Sequence, residues 1–219
     1  MHCIVTAGPT IEPLDEVRRL TNFSTGRLGC ELAAYLTAAG HDVSLLVGEQ
    51  ATWRGERTAT RVLDFSSTTD LLKCFQALAD ESATAIFHAA AVSDFTFGNI
   101  WETDAEGKRT ELSGAKISSR SGNLLAELVP TPKVIAQLRD LYPGGLLCGW
   151  KYEVDGTRDE VIAKAGRQLA ECRSDYCIVN GAAYGAGFGI LSSDGTLRPC
   201  PDRGELFAAL AALLNEPRD

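Results

Sequence analysis

Residues 2–40, HCIVTAGPTIEPLDEVRRLTNFSTGRLGCELAAYLTAAG, decide the fold. HCIVTA is a short, mostly apolar run without polar alternation, as in a strand buried on both faces. GRLGCELAAYLTAAG is amphipathic at helical spacing, with Leu28, Leu32, Tyr35 and Leu36 on one face and Gly40 placed as a C-terminal stop. A strand followed by such a helix is half of a βαβ unit. The crossing between them takes about twenty residues, where units of this kind use ~2–6. It carries adjacent arginines, Arg18 and Arg19, an N-x-S-T turn and two glycines, Gly26 and Gly29. A loop of that length and composition points to a ligand.

Outward from this stretch the same rhythm repeats. HDVSLLVG and TRVLDF read as strands, and Ser67 or Thr68 can cap a helix over TDLLKCFQALAD. ATAIFHAAA is a fourth apolar strand. The pattern predicts an α/β fold with a Rossmann-like, doubly wound, mostly parallel sheet. From about residue 96 to 129 the chain is polar, glycine-containing and broken by short β-like runs, which predicts a β-rich lid or dimerisation excursion. The rhythm then returns. Thr131 and Pro132 read as the N-cap and first position of a helix over TPKVIAQLRDLY. GLLCGWKYE is a strand, Thr157 and Glu160 form a capping box, SDYCIVN is a strand, FGILSSDGTLRPC a hairpin and GELFAALAALLNE a last helix. Residues 1–219 read as a single domain.

Composition narrows the function classes. The chain has 219 residues, 45% hydrophobic and 23% charged, with a net charge of -8. An acidic chain of this size can bury a real core but does not bind nucleic acid non-specifically, which needs a basic face. No apolar run approaches the ~18 residues of a membrane span. The N-terminus shows no signal-peptide pattern, and a cytoplasmic protein is expected. The seven cysteines are scattered without a C-x-x-C pair, which predicts reduced, mostly buried thiols. The three histidines do not join them at zinc-ligand spacing.

In an open α/β sheet, ligands bind beyond the carboxyl ends of the strands. Four segments follow strands there: AGPT, AAAVSDF, GWKYE and VNGAAYG. NFSTGRLG can enter its helix with free N–H groups and the Ser24 and Thr25 hydroxyls facing a phosphate, or Ser24 can cap the helix while the glycines serve packing. Arg18 and Arg19 are either solvated or poised to grip an anion with two parallel hydrogen bonds. Asp94 is a turn cap, a Mg²⁺ ligand or an acceptor for a substrate hydroxyl or amide. Lys116 is a mobile point charge for phosphate or a surface lysine, and Trp150 is a core aromatic or a platform for a base. Asn180 is a turn residue or a ligand contact. His88 reads as a core histidine. Glu49 lies in the window for a ribose-binding acid, yet the glycines are spaced G-x-x-G and no Y-x-x-x-K pair is present, so a nucleotide or phosphorylated small molecule is favoured and NAD(P) hydride transfer stays open.

TAGPT, EVRRLTNFSTGRLG and AAAVSDF, then AKISS…LLAELVPTPKVI and VNGAAYG, occur in an order that resembles the phosphopantothenoylcysteine synthetase (phosphopantothenate–cysteine ligase) family over about residues 3–190. The resemblance implies ligation of 4′-phosphopantothenate to L-cysteine in coenzyme A biosynthesis. It implies an acyl-nucleotide intermediate, Mg²⁺, ATP or CTP as co-substrate, no flavin, and a homodimer with shared sites. By resemblance, Gly8, Ser24, Gly26 and Gly29 form the nucleotide-phosphate cradle. Asn22, Ala90, Ala91 and Asp94 form the pantothenate-binding wall, Arg18 reaches in from the neighbouring subunit, and Trp150 and Asn180 lie on the nucleotide side. Lys116 matches the first lysine of a bacterial K-x-K-K lid, whose later lysines are replaced here by Ser118 and Ser119, which leaves Lys116 or Lys151 as the catalytic lysine. Trp150 replaces a phenylalanine, and Gly181 stands where many bacterial members have aspartate. NFSTG, AVSDF and KISS resemble the eukaryotic, ATP-preferring branch. The competing readings are an NAD(P)-dependent oxidoreductase and a catalytically inactive regulatory relative.

Overall fold

The computed structural model describes residues 1–81, 83–112, 114, 117 and 123–216. Its first half runs β1 (His2–Ala7), β2 (Ile11–Pro13), β3 (Arg19–Thr21), α1 (Arg27–Ala38), β4 (Asp42–Gly48), β5 (Arg61–Phe65), α2 (Thr68–Leu78), β6 (Ala85–His88). The second half runs β7 (Phe95–Thr103), β8 (Arg109–Leu112), β9 (Asn123–Pro130), α3 (Val134–Leu141), β10 (Leu146–Tyr152), α4 (Arg158–Cys172), β11 (Tyr176–Asn180), β12 (Phe188–Ser192), β13 (Leu197–Cys200), α5 (Arg203–Leu213).

Eight strands form one sheet in the order β13-β12-β11-β10-β6-β1-β4-β5, parallel except for the antiparallel β12–β13 hairpin at one edge. This is the expected Rossmann-like arrangement. Along β1, Cys3, Val5 and Ala7 face one layer with Leu32 and Leu36 of α1 and Leu206 and Leu210 of α5. Ile4 faces the other, with Leu71 and Phe75 of α2 and Leu138 of α3. Side chains alternate between the faces, so a strand covered on both must be apolar throughout. Tyr35 is 39% exposed and only borders the α1 face, its ring tilted against Phe207 at 5.9 Å.

Most local signals act where the sequence puts them. Gly40 takes φ +85° and closes α1, with His41 N donating to Leu36 O. Ser67 caps α2, and Thr157 with Glu160 makes the capping box of α4. Thr131 does not cap α3, which starts at Val134 behind Lys133. Its hydroxyl instead donates to Ser93 O at 2.5 Å and its N–H to Asp94 O at 3.0 Å, so the loop after β6 claims it.

The long crossing after β1 has structure of its own. β2 and β3 pair as a small hairpin, and the buried Glu12 accepts a hydrogen bond from Thr68 N at the start of α2, 3.0 Å away. The excursion forms a separate antiparallel sheet in the order β8-β7-β9. Every cysteine but Cys74 is buried, and burial pushes the Cys177 thiol up to about 12.

His88 is a core histidine, 3.0 Å through Nδ1 from the Thr6 hydroxyl and edge-on to Phe75. Burial holds its pKa down at about 4, against 6.5 for the ordinary group. The unfolded chain therefore takes up this proton first as pH falls. The neutral-histidine contribution is intact above about pH 6.5 and is lost between about 6.5 and 4, a change of about 3 kcal/mol. His88→Gln should lose a smaller fraction of its stability than the parent between pH 7 and pH 4.5, measured by urea unfolding. An equal loss would place the acid sensitivity elsewhere.

Candidate active site at the carboxyl edge of the sheet

β1 and β6 are neighbours from which the chain winds in opposite directions, and the crevice beyond their ends is where a doubly wound sheet takes its ligand. Their trailing loops are joined through the main chain. Pro9 and Ala91 form a parallel bridge, Ala91 N donates to Gly8 O (3.0 Å), and Thr10 N donates to Ala91 O (3.1 Å). Thr6 Oγ1 accepts from Ala90 N (2.9 Å) and Thr10 Oγ1 from Ser93 N (2.9 Å). Asn22, carried back by the β2–β3 hairpin, donates from Nδ2 to the same Ala91 O at 3.2 Å. Asn22, Ala90 and Ala91, far apart in sequence, thus share one ledge. Asp94 is exposed at its end, its carboxylate unbonded among the described residues.

Beside the ledge, α1 begins at Gly26, which holds φ +80° and supplies no side-chain cap; no acidic residue lies in the first turn. Ser24 does not cap the helix, while Thr25 Oγ1 accepts from Arg27 N at 3.3 Å. A helix start of this kind offers N–H groups and a positive dipole end to an anion. The glycines also have packing roles. A Cβ on Gly8 or Gly26 would come within 2.8 or 2.9 Å of the Ala51 methyl, and one on Gly29 within 2.5 Å of Thr6 O. Ala51 therefore occupies the space that the first two glycines leave.

Trp150 and Asn180 end neighbouring strands, with Trp150 opposite Ile178 and Tyr152 opposite Asn180. Trp150 packs on the α1 and α5 layer, and strand alternation puts Asn180 on the same face. Trp150 Nε1 and Asn180 Oδ1 are buried without a hydrogen-bonding partner among the described residues. Two such groups on one face are uncommon in a finished core and mark a place where a polar ligand could satisfy them. Gly181 explains one departure from the bacterial pattern. It holds φ +113°, and a Cβ there would stand 2.2 Å from Glu153 O, so this backbone excludes aspartate. Lys151 points away from Trp150, to the other face, and pairs with Glu153 at 3.2 Å. Lys116 lies outside the described residues.

Arg18 is not on the ledge of its own chain. Its guanidinium donates to Asp15 Oδ2 through Nε (3.1 Å) and Nη2 (2.5 Å), and to Ile117 O (2.7 Å). Asp15, its side chain closed to solvent, also accepts from Val17 N, Arg18 N and Ile117 N. The Arg18 guanidinium holds the Asp15 carboxyl well below the usual carboxylate range. Asp15, Glu12 and Thr10 are positioning residues that the sequence reading missed. The only local hint was the D-x-x-R spacing, since the contacts that tie them to the rest of the chain span 56 to 102 residues.

Residues 1–199 match the family of the DNA/pantothenate metabolism flavoprotein C-terminal domain. The chain belongs to this family. It is 29% identical over 179 residues to the coenzyme A biosynthesis bifunctional protein CoaBC of Thermococcus kodakarensis, covering 81% of this chain and 40% of that protein. The first curated relatives are matched over 40 to 50% of their length. The crystal structure of the DNA/pantothenate metabolism flavoprotein from Streptococcus pneumoniae superposes with a TM-score of 0.83 at 27% identity, over 98% of each chain. A Cab2 variant in complex with phosphopantothenate-cysteine shares the fold, with a TM-score of 0.69 at 17% identity over 97% of this chain and 87% of the other. The family assignment agrees with the resemblance drawn from TAGPT, NFSTGRLG and AAAVSDF.

Proposed function

We propose that this chain is a phosphopantothenate–cysteine ligase acting in coenzyme A biosynthesis. The observation that carries the proposal is the ledge. Asn22, Ala90 and Ala91 converge there through main-chain and amide hydrogen bonds, beside the uncapped start of α1, in a chain of this family. The carboxylate of 4′-phosphopantothenate attacks the α-phosphorus of a nucleoside triphosphate, and the bond to pyrophosphate breaks. The amine of cysteine then attacks the acyl carbon, gives up a proton, and the nucleoside monophosphate leaves. Both steps build charge on oxygen, which fixed N–H groups stabilise without a strong base.

In this reading the first N–H groups of α1 and the Ser24 hydroxyl face the nucleotide phosphates, and Asn22 steadies the acyl-nucleotide. Trp150 and Asn180 lie under the nucleotide. Asp94 would hold Mg²⁺, which typically takes one or two carboxylates together with substrate phosphates and would neutralise phosphate charge there. An exposed carboxylate with no partner among the described residues fits that donor set. The Lys151–Glu153 pair on the far face favours Lys116 as the working lysine. Val17, Leu20 and the fully exposed Phe23, with Phe95 and Leu128 of the excursion sheet, offer apolar surface for a second copy of the chain.

The test is pyrophosphate release with purified protein, Mg²⁺, 4′-phosphopantothenate and cysteine, run with ATP and with CTP. Release that requires phosphopantothenate and is matched by nucleoside monophosphate is the expected result, with ATP the better substrate. Folded protein that releases nothing with either nucleotide would overturn the proposal.

A further inference from the structure

We infer that the loop after β4, residues 49–57, forms a second phosphate-binding subsite that is separated from the α1 cradle by Ala51. It borders an open surface depression of about 570 Å³ lined by Glu49, Thr52, Trp53, Arg54 and Arg57 among others. That is within the usual ~300–1,000 Å³ of small-molecule sites. It lies past the carboxyl end of β4, on the edge of the sheet where ligands bind.

The loop has no regular secondary structure, yet it is pinned along its length. Ala51 N donates to Gly48 O, Trp53 N donates to Thr25 O at 2.9 Å, and Ala51 seats against Gly8 and Gly26. The Trp53 ring lies under the Arg27 guanidinium at 4.7 Å, and a Cβ on Gly55 would collide with that ring at 2.3 Å. The arginines therefore project from a fixed frame.

Their donors are largely unused. Arg57 reaches Asp64 only at 3.7 Å and Ala51 O at 3.5 Å, and the Asp64 carboxylate is mostly solvated. Arg54 has no carboxylate within ion-pair distance among the described residues. Arg27, by contrast, is committed to Glu31 at 2.6 Å. Two guanidinium forks with spare N–H groups beside a polar depression suit a phosphate or pyrophosphate group, which they can grip with paired hydrogen bonds. Glu49 on the same wall opposes any anion close to it, so the phosphate lies toward the arginines and the Glu49 carboxylate is left to accept from a donor such as a ribose hydroxyl.

The anion has two sources, free pyrophosphate or the phosphate tail of a bound nucleotide, and calorimetry separates them. Inorganic pyrophosphate is titrated into the full chain, then into Arg54→Ala, Arg57→Ala and the double variant at matched ionic strength. Each single change should weaken the arginine-dependent binding roughly tenfold, and the double variant should retain only the pyrophosphate that the α1 cradle holds, since charge-assisted hydrogen bonds carry the contact. Equal affinity in parent and double variant, or no binding to the parent, would overturn the inference. Repeating the titration at saturating MgATP identifies the source. Competition assigns the site to the nucleotide tail, and unchanged affinity assigns it to the free anion. Binding is read without turnover, so an inactive protein that still binds pyrophosphate through these arginines would sink the ligase proposal and leave the subsite standing. Unchanged melting temperatures exclude misfolding of the variants.

Discussion

Mixing two inactive variants, Asn22→Ala and Arg18→Ala, is expected to restore about a quarter of the parental activity. Each variant alone should lose roughly 10²–10³ in turnover, the usual cost of deleting one donor that stabilises developing oxyanion charge. Asn22 sits on the ledge of its own chain, hydrogen-bonded to Ala91 O. Arg18, four residues earlier, is turned away from it and held by Asp15 and Ile117 O. If Arg18 serves the site of a neighbouring copy, a hybrid dimer has one site with both defects and one with neither. Random exchange makes half of the dimers hybrid, hence about one site in four intact in a two-fold dimer. The readout is pyrophosphate release after the variants are mixed at equal concentration and allowed to exchange. A mixture no more active than its components would place Arg18 in its own chain's site or outside catalysis.

Gly29→Ala should destabilise the fold by about 2 kcal/mol or more, although alanine favours a helix by up to ~1 kcal/mol over glycine. The new methyl would meet Thr6 O at 2.5 Å and the Ala7 methyl at 2.7 Å. Both belong to β1, which is hydrogen-bonded on both sides to β4 and β6 and cannot retreat. The helix must shift instead, and its first N–H groups move with it. Gly166→Ala in α4 is the control, because nothing lies within 4 Å of that added methyl. It should stabilise by roughly 0.5–1 kcal/mol. Urea unfolding of the two variants should give opposite signs. The same sign in both would mean that α1 is not in tight contact with β1.

The sheet was legible because its signals are local and repeated. Apolar runs such as HCIVTA and ATAIFHA, the stop at Gly40 and the Thr157–Glu160 box each act within a few residues. The family segments likewise identified the ledge residues before their geometry was known. The hairpin of β2 and β3 was not legible, because three-residue strands ending in Pro13 carry no periodicity. Nor were Asp15 and Glu12, whose hydrogen bonds span 102 and 56 residues. Thr131 was misread for a related reason. T-P before an apolar run is a good local cap, but two hydrogen bonds from the loop after β6 outweighed it. In the pocket of residues 49–57 only Glu49 carried a signal in the sequence, as a candidate ribose-binding acid, and Arg54 and Arg57 carried none.

The ledge that joins Pro9 to Ala91 has a consequence for how the site can evolve. At Gly8, Ala90 and Ala91 its contacts use main-chain N–H and C=O groups, and side chains enter only through Thr6, Thr10 and Asn22. A point mutation at Ala90 or Ala91 can add bulk, but it has no side-chain hydrogen bond to delete. A competitive inhibitor lying along this main chain would therefore be hard to escape by mutation. If the ledge is the substrate site proposed above, a change at Ala90 or Ala91 that obstructs an inhibitor obstructs the substrate as well. On the proposed reading, altered specificity would arise through Asn22, Asp94 and Trp150, whose side chains can be exchanged.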